Sequence, residues 1–212
     1  MHPIYTLIIP DPGRTHVLLV PGKQHWTLPE LRFEQRYFWQ TVGHVNAAVH
    51  EQLGVEATTL RCRSIIPPTP GDPPRLVYEL ELHGAREAPV ERHWASRGEL
   101  DALPAAQRPL LAAWWDEAAQ PAARSGGVPW YRPGWRDTML AWLTGALEQA
   151  GRRLTGSVEQ VRSWERSALW RAPTDQGHVY FKAVPPVFGH EPALTALLAG
   201  RFPDCSPPVL AV

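Results

Sequence analysis

The chain has 212 residues, 44% of them hydrophobic, which is enough apolar material for one large or two small globular domains. Its 21 basic and 21 acidic residues cancel, so the charge excludes a general attraction to nucleic acid or to an anionic membrane surface. The two cysteines form no disulfide or metal-binding pattern, and without a signal peptide or a membrane-length apolar run the sequence predicts a cytoplasmic protein.

The N-terminal part begins with two predicted strands and a long predicted helix. Apolar, β-branched runs at residues 4–9 and 16–20 are each closed by Pro and Gly, which is typical of a strand pair. Residues 32–53 predict a helix that ends at Gly54, because apolar side chains recur there at spacings of three and four. This apolar stripe consists of Val42, Val45, Val49 and Leu53.

Two more strands are predicted at residues 58–66 and 75–82. The second strand alternates along its length, which places Glu79 and Glu81 on the face opposite its leucines. The remaining predicted elements of this part are a strand at residues 90–94 and helices at residues 97–103 and 107–120.

The order of these elements, with a Trp-x-Leu-Pro segment at residues 26–29, resembles that of Nudix domains over residues 1 to about 120. The resemblance implies an α+β domain with a mixed sheet flanked by helices. The Nudix box, G-x5-E-x7-R-E-U-x-E-E-x-G-U with U apolar, can be anchored at its end on Gly54 and Val55. Its Arg-Glu pair then falls on residues 47–48 and its Glu-Glu pair on residues 51–52.

This box retains few of its usual carboxylates. Glu51 matches, whereas Ala48 and Gln52 stand where the resemblance implies glutamates. A Mg²⁺ ion needs several oxygen ligands. The resemblance therefore implies a degenerate domain that serves as a binding or bracing module and does not hydrolyse nucleoside diphosphate derivatives. Glu51 is then either a remnant metal ligand or an ordinary solvent-facing helix residue.

A linker is predicted at residues 121–134, where Gly, Pro and Ser are frequent, between residues 1–120 and a second domain at residues 135–212. This second domain begins with an amphipathic helix at residues 136–151, which we interpret as a brace between the domains.

A lysine on an apolar strand is the main functional signal of the second domain. Lys182 lies within a predicted strand at residues 178–184, which forms a hairpin with residues 167–172. Glu191 opens a predicted helix at residues 191–199, with proline in its first turn and glycine after its last residue. A partly buried ammonium group needs a partner, so we predict an ion pair between Lys182 and Glu191.

About the last third of the chain resembles the nucleotide-binding lobe of the protein-kinase-like fold, and more closely that of aminoglycoside and choline phosphotransferases. Residues 164–168 match the loop over the nucleotide, although they lack the G-x-G-x-x-G of protein kinases, and residues 201–212 match the next strand. The resemblance implies a small antiparallel sheet with one packed helix. The nucleotide-binding residues that it implies are Lys182, Glu191, Ser167 and Ala168. A simpler interpretation of Lys182 is a surface lysine on a hairpin.

In this family the catalytic Asp and the residues that hold Mg²⁺ come from a second lobe, and the sequence ends at Val212 before any of them. We therefore expect residues 1–212 to be the front part of a longer phosphotransferase, with no catalytic residues of their own. ATP and Mg²⁺ are expected as cofactors of the complete protein only.

Three functions are compatible with the sequence. The first is an ATP-dependent small-molecule phosphotransferase fragment with a non-hydrolytic Nudix-like domain. The second is a Nudix-type hydrolase of a nucleoside diphosphate derivative, and the third is a non-catalytic nucleotide-binding or interaction protein. In each case the expected partner is a small molecule and not nucleic acid or a membrane, while the oligomeric state is left open.

Overall fold

The computed structural model describes residues 2–85, 91–120 and 127–212. The chain divides into two compact units, Met1–Gly127 and Val128–Val212, which we call unit 1 and unit 2. The division falls inside the predicted linker, of which residues 121–126 lie outside the described residues. Its later part belongs to unit 2, because Trp130 is buried there and its indole N–H donates to the backbone oxygen of Trp164 at 2.9 Å.

Two sheets form the framework of unit 1. The main sheet has the strand order β4-β1-β6-β5, in which β1 and β6 are parallel and the other neighbours antiparallel. The second sheet, of order β3-β2-β7, is antiparallel throughout. The strands are β1 (Ile4–Ile8), β2 (His16–Pro21), β3 (Trp26–Thr27), β4 (Glu30–Arg32), β5 (Val55–Ile66), β6 (Arg75–Ala85) and β7 (His93–Ser96). The mixed sheet that was predicted is therefore present, and unit 1 is an α+β unit.

Helices bury both faces of these sheets. Helix α1 (Gly43–Leu53) shares one core cluster with Tyr78 and Leu80 of β6. Helix α2 (Arg108–Ala118), which follows a short 3-10 helix at Arg97–Ala102, shares a second cluster with Val77 of the same strand. Because neighbouring side chains of a strand point to opposite faces, β6 contributes to both cores.

The prediction of a helix at residues 32–53 is wrong for residues 32–42. Residues 30–32 form β4, where Leu31 is buried opposite Tyr5 of β1, and the helix starts only at Gly43. The apolar stripe explains this start, since its first member lies directly before the helix. All four stripe residues are at most 6% exposed, as predicted: Val42, Val45, Val49 and Leu53. The predicted glycine cap is also confirmed, because Gly54 has the left-handed φ of 63° that favours glycine.

Several other boundaries differ from the prediction by a few residues. Strand β5 begins at Val55 and not at residue 58, and β6 continues to Ala85 beyond the predicted end at residue 82. The predicted strand at residues 90–94 corresponds to β7, with Val90 outside the described residues. Pairing with a neighbouring strand extends β5 and β6 past the point where side-chain alternation ends.

Unit 2 consists of a three-stranded antiparallel sheet of order β10-β9-β8 and two α-helices. Helix α3 shares a core cluster with one face of the sheet, where Met139, Leu143 and Leu147 meet Trp170. The elements are a 3-10 helix at Pro129–Tyr131, α3 (Trp135–Gln149), β8 (Glu159–Trp164), β9 (Ser167–Thr174), β10 (Gly177–Ala183), a 3-10 helix at Pro186–Phe188 and α4 (Glu191–Arg201).

Three features of unit 2 differ from the prediction. Strand β8 was not predicted, and it forms with β9 a hairpin whose two-residue turn follows Trp164. Helix α4 continues through Gly200 to Arg201, two residues beyond the predicted end, because Phe202 and not glycine caps it. Residues 203–212, predicted as part of the next strand, form no strand. Within the described ranges, no helix has both the length and the apolar character needed to cross a membrane.

Candidate functional site

Lys182 and Glu191 are brought together in unit 2. Phe181 and Ala183 pack towards the α3 side of the sheet, so the intervening Lys182 projects from the opposite face. The chain then turns through Pro186–Phe188, and Glu191 opens α4. The ammonium of Lys182 donates to the carboxylate of Glu191, which confirms the predicted ion pair.

This ion pair is more exposed than predicted. The side chain of Lys182 is 44% exposed and that of Glu191 is 36% exposed. Lys182 lies on the sheet face away from α3, where the hydrophobic core of unit 2 does not cover it. An ion pair at this exposure contributes about 0–1 kcal/mol to stability.

A cleft of about 690 Å³ lies beside the ion pair. Strand β10 contributes Tyr180 and Lys182, α4 contributes Glu191 and Thr195, and the segment after α4 contributes Leu210. This volume is within the range of small-molecule sites, which combine apolar walls with a few polar groups. The cleft therefore has the size of a small-molecule site, and its mostly apolar walls include the Lys182 and Glu191 pair.

Ser167 and Ala168 do not reach this cleft with their side chains. The hydroxyl of Ser167 accepts a 2.8 Å hydrogen bond from Trp164 Nε1, and the residue is only 4% exposed. Ala168 is fully buried in the core cluster with α3, on the face opposite Lys182. The turn between β8 and β9 pairs Ser167 with Trp164, and alternation along β9 turns Ala168 towards α3 together with Trp170 and Ala172. Of the four predicted nucleotide-binding residues, the structure thus brings two together.

The Nudix-box positions of unit 1 lie on α1. Ala48 is 6% exposed and belongs to the core cluster, whereas Glu51 and Gln52 are exposed to solvent. A carboxylate at residue 48 would have to replace a core methyl group. Among residues 2–85, 91–120 and 127–212, no group of three or more His, Cys, Asp or Glu side chains is arranged to hold a metal ion.

A buried charge cluster in unit 1 was not predicted as a site. Glu79 of β6 is 1% exposed and lies beneath α2, on the face where the alternation pattern placed it. It accepts four hydrogen bonds, at 2.7–2.9 Å, from Arg14, Arg61, Arg63 and the indole of Trp114. Arg61 and Arg63 also pair with Glu117 near the end of α2. The sequence signal was present as two arginines on β5 opposite a glutamate on β6.

The charge of Glu79 is stabilised by its neighbours. Burial alone would raise the pKa of its carboxyl, but the guanidinium groups of Arg61, Arg14 and Arg63 outweigh burial and lower the pKa to about 2. The pKa of Glu117 is also lowered, because hydrogen bonds and charge from Arg61 and Arg63 outweigh its partial desolvation. Both carboxylates are therefore ionised at neutral pH.

An aromatic cluster surrounds His44 at the start of α1. The imidazole stacks on Tyr37 with ring centroids 3.7 Å apart and meets Phe33 and Tyr5 edge-on. Neither ring nitrogen of His44 has a hydrogen-bond partner. Desolvation lowers the pKa of His44 to about 4, so the ring is neutral at physiological pH.

No protein-family model matches the chain, and no curated protein sequence matches it. Solved structures with some similarity include the ORF135 protein of E. coli, which is 24% identical over 57% of this chain and 94% of that chain, with a TM-score of 0.44. An ADP-ribose pyrophosphatase of Streptococcus suis is 19% identical over 56% of this chain and 92% of that chain, also with a TM-score of 0.44. A Nudix hydrolase of Nitrosomonas europaea is 16% identical over 57% of this chain and 74% of that chain, again with a TM-score of 0.44.

This chain spans only 41% of the length of a further match, a protein from Sinorhizobium meliloti that is 16% identical, with a TM-score of 0.46. All four TM-scores are below 0.5, so these likenesses decide neither the family nor the activity of this chain. They also do not show a phosphotransferase-like lobe, which remains a prediction.

Proposed function

We propose that unit 2 binds the phosphate groups of a nucleotide such as ATP, as the nucleotide-binding part of a small-molecule phosphotransferase. The observation that carries this proposal is the ion pair of Lys182 and Glu191 beside a cleft of about 690 Å³. An ammonium group offers a point charge with three donors to phosphate oxygens, and a carboxylate partner keeps it oriented. Lys182 would contact the phosphates, and Glu191 would hold Lys182 in place.

The residues of this chain fit the phosphate part of ATP better than its metal ion. Mg²⁺ prefers several oxygen ligands, and the described residues contain no cluster of three or more groups that could supply them. We therefore assign phosphate binding to Lys182 and assign no phosphoryl-transfer step to residues of this chain.

We also propose that unit 1 is a Nudix-like domain that does not hydrolyse nucleoside diphosphate derivatives. Its support is the mixed sheet, the helix that ends at Gly54, and the burial of Ala48 at a box position where the family places a carboxylate. In this proposal unit 1 is an accessory module of the phosphotransferase.

The test of nucleotide binding is a calorimetric titration of ATP with Mg²⁺ into the whole chain. We expect a dissociation constant of about a millimolar or weaker, because contacts to one lysine must offset the several kcal/mol lost in immobilising the ligand. Lys182→Ala should weaken binding further. The matched control is Arg153→Ala, which removes the same charge from an exposed ion pair with Asp175 in the same unit. Equal binding by the Lys182→Ala and Arg153→Ala variants would exclude Lys182 as the phosphate ligand.

Hydrolysis of a nucleoside diphosphate derivative by unit 1 is the second candidate function. Two features of unit 1 favour it, namely the mixed sheet described above and the position of Glu51 on the exposed face of α1. Incubation with such substrates and Mg²⁺ tests it directly. We expect no product, since a single box carboxylate is a poor ligand set for a hard cation. Product that forms in the unchanged protein and is lost in Glu51→Gln would establish the hydrolase and contradict our proposal for unit 1.

A further inference from the structure

Arg61 and Arg63 of β5 form a pair of guanidinium groups between two carboxylates. On the buried side, Glu79 accepts hydrogen bonds from Arg61 Nε and Arg63 Nη1, both at 2.9 Å. On the other side, Glu117 accepts a 2.7 Å bond from Arg63 Nη2 and a further bond from Arg61. The exposures of the two carboxylates differ, because Glu79 is 1% exposed and Glu117 is 33% exposed. Glu79 is therefore a buried partner of the two arginines, whereas Glu117 pairs with them in contact with solvent.

The inner carboxylate holds the two arginines in place. The second oxygen of Glu79 accepts from Arg14 at 2.7 Å and from Trp114 Nε1 at 2.8 Å, so the carboxylate is anchored on both sides. Planar guanidinium groups that are fixed in this way hold the N–H groups that donate to Glu117 as a fork, and this shape also suits phosphate oxygens. Little side-chain freedom remains to be lost when an anion binds to this fork.

The charge of the cluster matches a dianion once Glu117 moves away. Three guanidinium groups against the single carboxylate of Glu79 leave a charge of two, since 3 − 1 = 2. Glu117 neutralises only part of this charge, and it does so from the last turn of α2, where the helix dipole disfavours a carboxylate.

We infer that Arg61 and Arg63 form a binding site for the phosphate group of a small phosphorylated molecule, and that Glu117 occupies this site until the phosphate displaces it. The site lies in unit 1 and is independent of the nucleotide site proposed for unit 2. Its ligand is defined by charge and shape as a dianion with several oxygen acceptors.

The first test is a titration of inorganic phosphate into the whole chain and into Glu117→Gln. Removal of the competing carboxylate should tighten phosphate binding by up to about fivefold, which is the scale of one partly exposed ion pair. The control is Asp116→Asn, a neighbour on α2 that removes the same charge from an exposed pair with Arg97. Equal affinity of the Glu117→Gln and Asp116→Asn variants would show that the cluster is an internal ion-pair network only, and would overturn the inference.

A second test does not depend on the folding of the Glu117 variant. In the unchanged protein, millimolar phosphate should shift the side-chain ¹⁵N resonances of Arg61 and Arg63, because their outer partner is exchanged. Arg63→Lys keeps the charge but removes the fork, so the shift of Arg61 should be lost in that variant. Two results would contradict a fork-shaped phosphate site. One is that phosphate leaves the arginine resonances of the parent protein unchanged. The other is that phosphate shifts the Arg61 resonances of Arg63→Lys as much as those of the parent protein.

Discussion

Arg61 lies directly opposite Glu79 in the pairing of β5 with β6, and its Nε donates a 2.9 Å hydrogen bond to the Glu79 carboxylate. This cross-strand pair lies beneath α2, where Glu79 is 1% exposed. A charge in such a position is tolerated only when it is paired and its hydrogen-bonding capacity is used. The stability of unit 1 therefore depends on a polar cluster as well as on its two apolar cores.

Replacement of Glu79 by glutamine should strongly destabilise unit 1. Three arginines would lose their common counter-charge while remaining partly buried, and breaking a buried pair costs about 3–5 kcal/mol. Chemical denaturation followed by tryptophan fluorescence measures the loss. Asp116→Asn is the control, since its 62% exposed carboxylate should contribute less than about 1 kcal/mol. A Glu79→Gln variant as stable as this control would refute the role of the cluster.

Acidification should remove the stabilising effect of Glu79 over a defined pH range. Its folded-state pKa of about 2 is lower than the ordinary value of 4.5, so the unfolded state takes up the proton first as pH falls. The stabilisation is complete above pH 4.5 and is lost as pH falls through the folded-state value. The difference in unfolding free energy between the parent protein and Glu79→Gln should therefore become smaller as the pH falls below about 5. A carboxyl group titrates over about one pH unit on either side of its pKa. A difference that stays constant would contradict the lowered pKa.

His44 should make stability depend on pH in a different range. Desolvation lowers its folded-state pKa to about 4 from an ordinary value of 6.5, so the folded state favours the neutral ring. This contribution is fully present above pH 6.5 and is lost as pH falls towards 4, because the unfolded state binds the proton more readily. His44→Phe keeps the aromatic contacts and should abolish this part of the pH dependence. Identical pH profiles of the parent and the variant, measured by thermal unfolding, would show that His44 titrates normally.

The ion pair of Lys182 and Glu191 should contribute little to stability. Both side chains are at least one-third exposed, at 44% and 36%, so solvent screens their attraction. A double-mutant cycle with Lys182→Met and Glu191→Gln should give a coupling energy below about 1 kcal/mol. A coupling of several kcal/mol would indicate a buried pair. This result is separate from ligand binding, in which Lys182→Ala is expected to weaken the affinity for ATP.

Local patterns determined the elements that depend on neighbours along the chain. The stripe of Val42, Val45 and Val49 predicted the buried face of α1, and Gly54 predicted its end, because helix periodicity and a left-handed cap are local properties. The Lys182 and Glu191 pair could also be predicted, since the two residues are only nine positions apart in the chain. The sequence alone therefore indicated the α+β class and one candidate ligand contact.

Tertiary structure decided the features that depend on distant partners. Residues 30–32 form β4 and no helix, because Leu31 is buried opposite Tyr5 of β1, 26 residues earlier in the chain. Glu79 is likewise buried, since α2 covers its face of the sheet and brings Trp114 and Glu117 to the arginines of β5. Alternation along β6 assigns Glu79 to one face but contains no information about what covers that face. The burial of Glu79 and its hydrogen bond from Trp114, 35 residues further along the chain, arise only when the sheet and the helix pack together.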